Sequence, residues 1–427
     1  MQPDKRGTTC PNYGIKLLNR KSPNMKSSNN SLRNNLFTNN LLNVNVLRIL
    51  AAAGVLISML LYPQDTMQAA GRALHSWWNN VLPSLLPFFI CAELLSRLGL
   101  LQALGIWLTP IMQPLFRLPG AAALGLTLGF FSGSPTGAAI AGDLRRRGLI
   151  TRNEGDRLLA FTNNAGPLYV ILTVSSVLGM PQTGIWLALA HYPLNLLCGL
   201  LLRFAAERHS RQTTQYDLPA LLASGWHSIT HAPCVPLGTM LKDSSLQALQ
   251  NIGMIGAFML VFSLILHALR HSGLLGIIQL VLQPLCALLS LPPEVLPALS
   301  EGLFEMTLGI VTLGESTASP AAKLVAAAII LSWSGLSIHA QISGMISGTD
   351  LSLRYYLPCR ILHSLAAPLL LILLQSHTGI PVFAAAAQHL WLLRLLSPGA
   401  LLLSWAGCTA MLLAVSWLIA GLTAAKR

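Results

Sequence analysis

Apolar segments long enough to cross a lipid bilayer follow one another in this sequence from residue 46 almost to the C-terminus. In lipid, only helices and closed barrels satisfy their own backbone hydrogen bonds. Charged residues make up 10% of the chain, whereas a soluble domain carries roughly 25%. Such a chain cannot cover a globular surface with polar groups. We therefore predict an all-α, polytopic membrane protein with about 10–12 transmembrane or re-entrant helices, each span needing about 20 residues.

The distribution of charge divides the chain into regions. Residues 1–48 hold eight lysines or arginines against one aspartate, out of a formal net charge of +13. Cytoplasmic loops carry the excess of Lys and Arg in membrane proteins, so both termini are predicted in the cytoplasm. The predicted regions are a disordered, basic, Asn-rich arm (1–45), a first transmembrane helix (46–63), a first repeat (81–204), a cytoplasmic connector (205–250), a second repeat (252–375), and a last transmembrane helix with a basic tail (400–427).

The two predicted repeats share short motifs in the same order. Gly-Leu-Leu occurs at 99–101 and at 273–275, and Leu-Pro occurs at 118–119 and at 291–292. The loop that follows in the first half holds five arginines, whereas the corresponding loop has only Glu315 and Lys323 nearby. Because positively charged loops stay in the cytoplasm, we predict that these loops lie on opposite sides of the membrane and that the repeats are inverted.

Two interruptions of apolar segments mark the predicted functional site. Ser-Gly-Ser-Pro-Thr-Gly breaks one segment at 132–137, and Asn-Asn-Ala-Gly-Pro breaks the next at 163–167. Non-helical backbone at membrane depth is tolerated only when it is buried in protein or lines a watery cavity. Close packing of helices is the alternative role for the glycines. The interleaved hydroxyls and amides favour a solute site near the bilayer midplane.

Ionisable residues inside apolar segments are the other candidates. Glu301 and Glu305 lie in the second-half segment that corresponds to the first break, and a carboxylate at that depth is a functional candidate by default. The alternative is a buried ion pair with Lys323 or Arg360. Arg360 itself can meet solute or extend to the membrane interface. The predicted solute contacts are Ser132, Ser134, Thr136, Asn163, Asn164, Glu305, Ser334, Ser337 and Arg360.

No pattern in the sequence predicts catalysis. It contains no nucleophile–base pair, phosphate-binding loop or metal-ligand spacing, and its seven cysteines are scattered without a C-x-x-C motif. A basic groove with aromatic residues, which single-stranded nucleic acid requires, is also missing. We expect no enzyme activity, cofactor, metal site or nucleic-acid partner, and we expect transport to be passive or coupled to an ion gradient.

Several motifs resemble one family of membrane proteins. Ser-Gly-x-Pro-x-Gly-Ala at 132–138 and Phe-x-Asn-Asn-x-Gly-Pro-Leu at 161–168 are similar to the YlbJ family of sporulation integral membrane proteins, as are the runs at 83–89 and 114–120. That family carries the Gate, or nucleoside-recognition, domain, which is similar to parts of concentrative nucleoside transporters and of the ferrous-iron transporter FeoB. The resemblance implies a multi-pass protein that acts late in sporulation and moves dipicolinate across a membrane surrounding the forespore.

Three functions are open on these observations. A dianion such as dipicolinate suits a site built from helix N-termini, amides, hydroxyls and cations. A neutral, nucleoside-like solute suits a carboxylate such as Glu305, which can bind hydroxyl groups. A scaffold for spore-envelope assembly, as a homo-oligomer or with other sporulation membrane proteins, would have a tightly packed apolar interior instead. A small-molecule solute and membrane lipid are the partners expected of a transporter.

Overall fold

The computed structural model describes residues 44–206, 218–232 and 235–378. The chain divides into two compact units, Met1–Ile57 and Ser58–Arg427, and the candidate site lies in the second. Nearly all of the predicted N-terminal arm, part of the connector and the whole predicted last helix at 400–427 fall outside the described residues.

Every regular element in the described part of the chain is a helix, which confirms the predicted all-α class. The helices are α1 Val44–Leu61, α2 Pro63–Ser76, α3 Leu82–Arg97, α4 Leu100–Ile111, α5 Ala122–Ser132, α6 Thr136–Arg146, α7 Arg152–Thr162, α8 Gly184–Leu202, α9 Leu218–Thr230, α10 Leu237–His271, α11 Leu274–Leu288, α12 Leu296–Phe304, α13 Met306–Glu315, α14 Pro320–Trp333, α15 Gly335–Met345 and α16 Tyr356–Thr378. Tyr169–Val174, after α7, is a π-helical stretch.

The helices have the length and composition of a membrane protein. Within the described residues, four helical segments are long and apolar enough to cross a bilayer, and some of these join two consecutive helices. The count rises to six if each of two bent helix pairs is taken as one further span. One bent pair is α3 with α4, which turn by 70° at their junction. The helices α5, α11 and α13 are apolar but shorter. Two of them, α5 and α13, are pieces of interrupted segments, which is one reason why the sequence shows more apolar runs than there are continuous spans.

The order of helices is the same in the two halves of the second unit. In each half a helix ends at a left-handed glycine, Gly99 with φ 79° or Gly273 with φ 74°. Each glycine is followed by a second helix, two interrupted helices and one long helix. The long helix is α8 in the first half and α16 in the second. The motifs at 99–101 and 273–275 occupy the same turn in both halves.

The connector is shorter than the sequence predicts. It contains α9, but α10 begins at Leu237, so the expected repeat boundary at 252 falls inside a 35-residue helix. The polar residues of 237–250 include many good helix formers, and no proline lies among them to end the helix.

Charged residues near the predicted arginine-rich loop pair with a segment of the second half. The Arg145 guanidinium donates to both carboxylate oxygens of Asp350, at 2.7 and 2.8 Å, and this bond lowers the pKa of Asp350. Arg354 pairs with Asp156 at 2.9 Å. Arg157, however, is 1% exposed and donates to the carbonyl oxygen of Phe116 at 2.8 Å. The prediction that Arg157 belongs to the arginine-rich loop is therefore wrong, because Arg157 lies within α7 and its side chain binds backbone carbonyls at the end of the preceding segment.

Candidate functional site

The two interrupted helices of the first half cross at their breaks. The backbone N–H of Ser134 donates to the carbonyl oxygen of Asn164 at 2.7 Å. Gly133 has φ +74°, and a Cβ at this position would lie 2.8 Å from the backbone nitrogen of Gly166. Glycine is needed here for both its backbone conformation and its small size.

The interrupted helices of the second half cross in a similar way. Gly335 has φ +80°, and a Cβ there would lie 3.0 Å from the backbone nitrogen of Met306 and 3.1 Å from the carbonyl oxygen of Phe304. Ser334, just before it, is left-handed with φ 72°. Each half thus has two non-helical segments in direct contact.

A small cavity lies between the two crossings. Its volume is about 60 Å³, enough for a few water molecules. Its polar lining comes from both halves and consists of Ser132, Ser134, Asn164, Tyr169, Glu305, Thr307, Ser334 and Gln341, beside apolar residues such as Phe88 and Phe89. We call this space the central cavity.

Asn164 is the lining residue with the most unsatisfied hydrogen-bonding capacity. Its side chain is fully buried, and within the part of the chain that the structure describes neither its amide nitrogen nor its amide oxygen has a partner. The Ser134 hydroxyl is also buried and unpartnered. A buried polar group without a partner costs about 1–3 kcal/mol. Groups of this kind at a cavity wall are well suited to bind a ligand.

Glu305 contributes a carboxylate at the break between α12 and α13. It is 3% exposed and caps α13 by accepting the N–H of Leu308 at 2.6 Å. No lysine or arginine within the described ranges pairs with it. The alternative of an ion pair with Lys323 or Arg360 is wrong, because Lys323 donates to the carbonyl oxygen of Gly314 at 2.7 Å and Arg360 binds elsewhere.

Four of the predicted solute contacts do not line the central cavity. Asn163 is fully buried and structural, since its Oδ1 accepts the N–H of Ala138 at 2.8 Å and its Nδ2 donates to the carbonyl oxygen of Leu159 at 2.9 Å. Thr136 lines a neighbouring cavity. Ser337 is buried with an unpartnered hydroxyl, outside the lining.

Arg360 is the fourth predicted solute contact that does not line the central cavity, and it binds the end of α7, just before the break at 163–167. Its guanidinium donates to the carbonyl oxygen of Ala160 at 3.2 Å and to Oδ1 of Asn195. A cation at the C-terminal end of a helix is favourable because unpaired carbonyls carry partial negative charge there. Arg360 therefore satisfies the end of α7 instead of facing the cavity or the membrane interface.

Three lining residues were missed by the sequence analysis. The Tyr169 hydroxyl donates to Thr307 Oγ1 at 3.2 Å, which joins the two halves across the cavity. Gln341 lies on α15 with its Oε1 buried and unpartnered. Tyr169 and Thr307, the third of these residues, are polar positions in largely apolar runs, whereas Gln341 lies near other polar residues of α15. Tyr169 lies two residues after the break at 163–167, and this proximity is its only signal in the sequence.

Two larger cavities flank the central one. The first, about 320 Å³, is lined by Glu93, Ser96, Gln247 and Asn251 among others, and we call it the Glu93 cavity. The second, about 640 Å³, is lined by polar residues that include Arg72, His75, His267, Arg270, Glu301 and Glu315, and we call it the Arg72 cavity.

The helix α10 passes all three cavities in order. Asn251 lines the Glu93 cavity, Ile255 lines both that cavity and the central one, and His267 lines the Arg72 cavity. Near its middle, α10 is held by Trp77, whose indole N–H donates to the carbonyl oxygen of Ile252 at 3.0 Å. A Cβ at Gly256 would lie 2.7 Å from the Trp77 ring. Along this helix, the polar lining of the Glu93 cavity gives way to the mostly apolar lining of the central cavity, and polar residues return in the Arg72 cavity.

These features define a polytopic, α-helical membrane protein with paired helix breaks around a small cavity that receives polar groups from both halves. The Gate family model, described as nucleoside recognition, matches residues 78–186, a range that includes both first-half breaks. No solved structure matches the chain.

A curated relative matches the chain beyond the Gate region. The sporulation integral membrane protein YlbJ of Bacillus subtilis (strain 168) is 34% identical over 325 residues, which cover 74% of this chain and 79% of that protein. The chain belongs to the YlbJ family of sporulation integral membrane proteins.

Proposed function

We propose that the protein is a transporter that carries a small polar or anionic solute through the central cavity, with dipicolinate as the favoured solute. The observation that carries the proposal is the fully buried Asn164 amide, which lines the cavity between the two crossings with both polar atoms unpartnered. A bound solute would supply the missing hydrogen bonds. No chemical conversion of the solute is involved.

The arrangement of the three cavities supports a path through the protein. Polar cavities at both ends of a small central cavity, all against one long helix, are typical of a solute route with a narrow middle. A scaffold needs no such route, since tight apolar packing serves it better. At about 60 Å³ the central cavity holds only a few waters, so it must widen to admit a ring-sized solute.

Dipicolinate fits the chemistry of the site and the biology of the family. It is a planar dicarboxylate, and α15 begins beside the cavity with no side-chain cap on its first N–H groups. Helix N-termini favour anions. The relative named above is a sporulation membrane protein, which supports a solute needed in sporulation and a membrane surrounding the forespore as the location.

A nucleoside-like solute is the second candidate, favoured by Glu305 and by the Gate match. A charged carboxylate with no cation partner repels a dianion but accepts hydroxyl groups of a sugar. For dipicolinate to bind, Glu305 must hold a proton, so dipicolinate uptake would be coupled to a proton gradient. The two candidates therefore differ in how uptake depends on that gradient.

We also infer that the two halves are inverted relative to each other and that both termini lie in the cytoplasm. The pairs Arg145–Asp350 and Asp156–Arg354 support a common side for these charged segments. Glu315 lines the Arg72 cavity at the other end of the path. In this arrangement the Glu93 cavity opens toward the cytoplasm.

The proposal is tested with purified protein in liposomes, by following labelled dipicolinate and labelled uridine in parallel. The Asn164→Ala variant is compared with Asn79→Ala, which removes an exposed asparagine side chain. Dipicolinate uptake that is lost only in Asn164→Ala supports the favoured solute, and uridine uptake alone supports the second candidate. Uptake of neither solute by well-folded protein would overturn the transport proposal in favour of an assembly role.

A further inference from the structure

A partly buried polar network joins three helices between the central cavity and the Arg72 cavity. Nη2 of Arg270, on α10, donates to Oε1 of Glu301 at 2.5 Å. The Thr312 hydroxyl, on α13, donates to Oε2 of the same carboxylate at 2.5 Å. Glu301 lies on α12, so its two oxygens connect α12 to both neighbours.

The network lies where the solute path is closed. Glu301 lines the Arg72 cavity and Glu305 lines the central cavity. The two residues are about 6 Å apart along the helix axis at 1.5 Å per residue. A thin layer of protein that includes Glu301 therefore separates the two cavities.

At the other end of the proposed path, the central cavity adjoins the Glu93 cavity. The central cavity and the Glu93 cavity share five lining residues, Phe89, Ser132, Ser134, Ile255 and Gln341, whereas the central cavity and the Arg72 cavity share none. The central cavity therefore adjoins the Glu93 cavity directly, whereas it has no wall in common with the Arg72 cavity on the Glu315 side.

Arg270 is only partly used by this network. Its side chain is 52% exposed whereas that of Glu301 is 10% exposed, and within the described residues its one ion pair is through Nη2. A guanidinium carries five N–H donors in a planar fork that matches a carboxylate. The unused donors belong to a side chain that lines the Arg72 cavity together with Arg72 itself.

We propose that the Arg72 cavity is a binding site for carboxylate anions, in which a solute carboxylate replaces Glu301 at Arg270 and thereby opens the layer that closes the central cavity. Arg270 keeps a carboxylate partner throughout, while Glu301 loses its ion pair and turns to the Arg72 cavity, which it lines together with Arg72. Glu301, once released, no longer connects α12 to α10. The inference rests on the proposed transport function but is tested by accessibility, which does not require transport.

The experiment measures how fast a membrane-impermeant thiol reagent labels a cysteine in the central cavity from the Glu315 side. The probe is Thr307→Cys, which lines that cavity, and the labelling of the parent protein's own cysteines is subtracted. The exposed position Thr317, converted to cysteine in a separate protein, identifies the Glu315 side. Thr307→Cys is then combined with Glu301→Gln, with Arg270→Gln, or with Glu315→Gln as the matched control. Glu315 also lines the Arg72 cavity but takes no part in the network.

We expect Glu301→Gln and Arg270→Gln to raise the labelling rate about tenfold, as for the loss of one charge-assisted hydrogen bond, and Glu315→Gln to leave it unchanged. Thr312→Val, which keeps both charges, should give a smaller rise. With the network intact, millimolar dipicolinate should also raise the rate, whereas uridine should not, and Arg270→Gln should abolish the response to dipicolinate.

The outcomes separate the two proposals. Equal labelling rates for Glu301→Gln and Glu315→Gln would show that the network does not close the central cavity. A labelling rate that rises on mutation but does not respond to dipicolinate would overturn the carboxylate exchange. If labelling behaves as expected but liposomes take up no solute, the transport proposal fails while the anion-sensitive layer stands. If Thr307→Cys is never labelled from either side, the path itself is wrong.

Discussion

Asn163 and Asn164 are adjacent in the sequence, but their side-chain amides have opposite surroundings. The amide of Asn163 bonds the N–H of Ala138 at 2.8 Å and the carbonyl oxygen of Leu159 at 2.9 Å. The amide of Asn164 is equally buried and bonds neither donor nor acceptor. One residue of the pair holds two helices together, and the next is left available to a ligand.

The first prediction separates these two roles by mutation. Asn163→Ala removes two buried hydrogen bonds, from the N–H of Ala138 and to the carbonyl oxygen of Leu159, which costs about 0.5–1.5 kcal/mol for each bond. Asn164→Ala removes an amide that has no partner among the described residues, so it should not lower the free energy of unfolding. Thermal unfolding of the detergent-solubilised variants measures the difference, and solute uptake should fall at least tenfold for Asn164→Ala. Equal destabilisation of the two variants would contradict this division of roles.

The second prediction concerns the glycines at the two crossings. Alanine at Gly133 or Gly335 combines a left-handed backbone with a Cβ that lies 2.8 or 3.0 Å from a neighbouring backbone atom. The backbone conformation alone costs a non-glycine residue about 1–2 kcal/mol. The matched control is Gly148→Ala, which has φ +69° but open space around its Cβ. We expect both crossing variants to unfold at clearly lower temperature than Gly148→Ala, and equal unfolding temperatures would show that the breaks are not in close contact.

The third prediction tests Glu305 as a proton carrier. Glutamine keeps an oxygen that can accept the N–H of Leu308, so the Glu305→Gln protein should fold, but it cannot exchange a proton. An imposed gradient of one pH unit should drive dipicolinate accumulation up to about tenfold in the wild-type protein and should have no effect in the variant. Glu294→Gln, at an exposed position, is the control. A gradient response retained by Glu305→Gln would mean that the coupling lies elsewhere.

The fourth prediction tests the inverted arrangement of the halves. Single cysteines in the loop at 147–151 should be labelled from the cytoplasmic side by an impermeant reagent, and cysteines at 316–318 from the opposite side. Permeabilised membranes, in which both sets should react, provide the control. Labelling of both loops from one side would rule out inversion.

The positions of the breaks could be predicted from the sequence, but the partners of their side chains could not. Glycine, proline and hydroxyl residues interrupt an apolar run visibly, and Glu305 is conspicuous at membrane depth. Arg360 was expected at the solute or the membrane interface because a sequence shows only that an arginine lies in an apolar helix. Its actual partner, the carbonyl oxygen of Ala160, is 200 residues away and is brought near only by the packing of α16 against α7. The same limitation explains why Asn163 and Asn164 could not be distinguished.

The 35 residues of α10 give it a length of about 52 Å at 1.5 Å per residue, well beyond the roughly 30 Å hydrocarbon core of a bilayer. Its contact with Trp77 at Ile252 and Gly256 lies close to its midpoint, with Gln247 on one side and His267 on the other. A rigid rod held near its centre acts as a lever. When it tilts, its two ends move in opposite directions, so a swing that widens the Arg72 cavity narrows the Glu93 cavity. In the transport function proposed above, this helix would therefore couple the Arg72 cavity mechanically to the Glu93 cavity, so that one would open as the other closes.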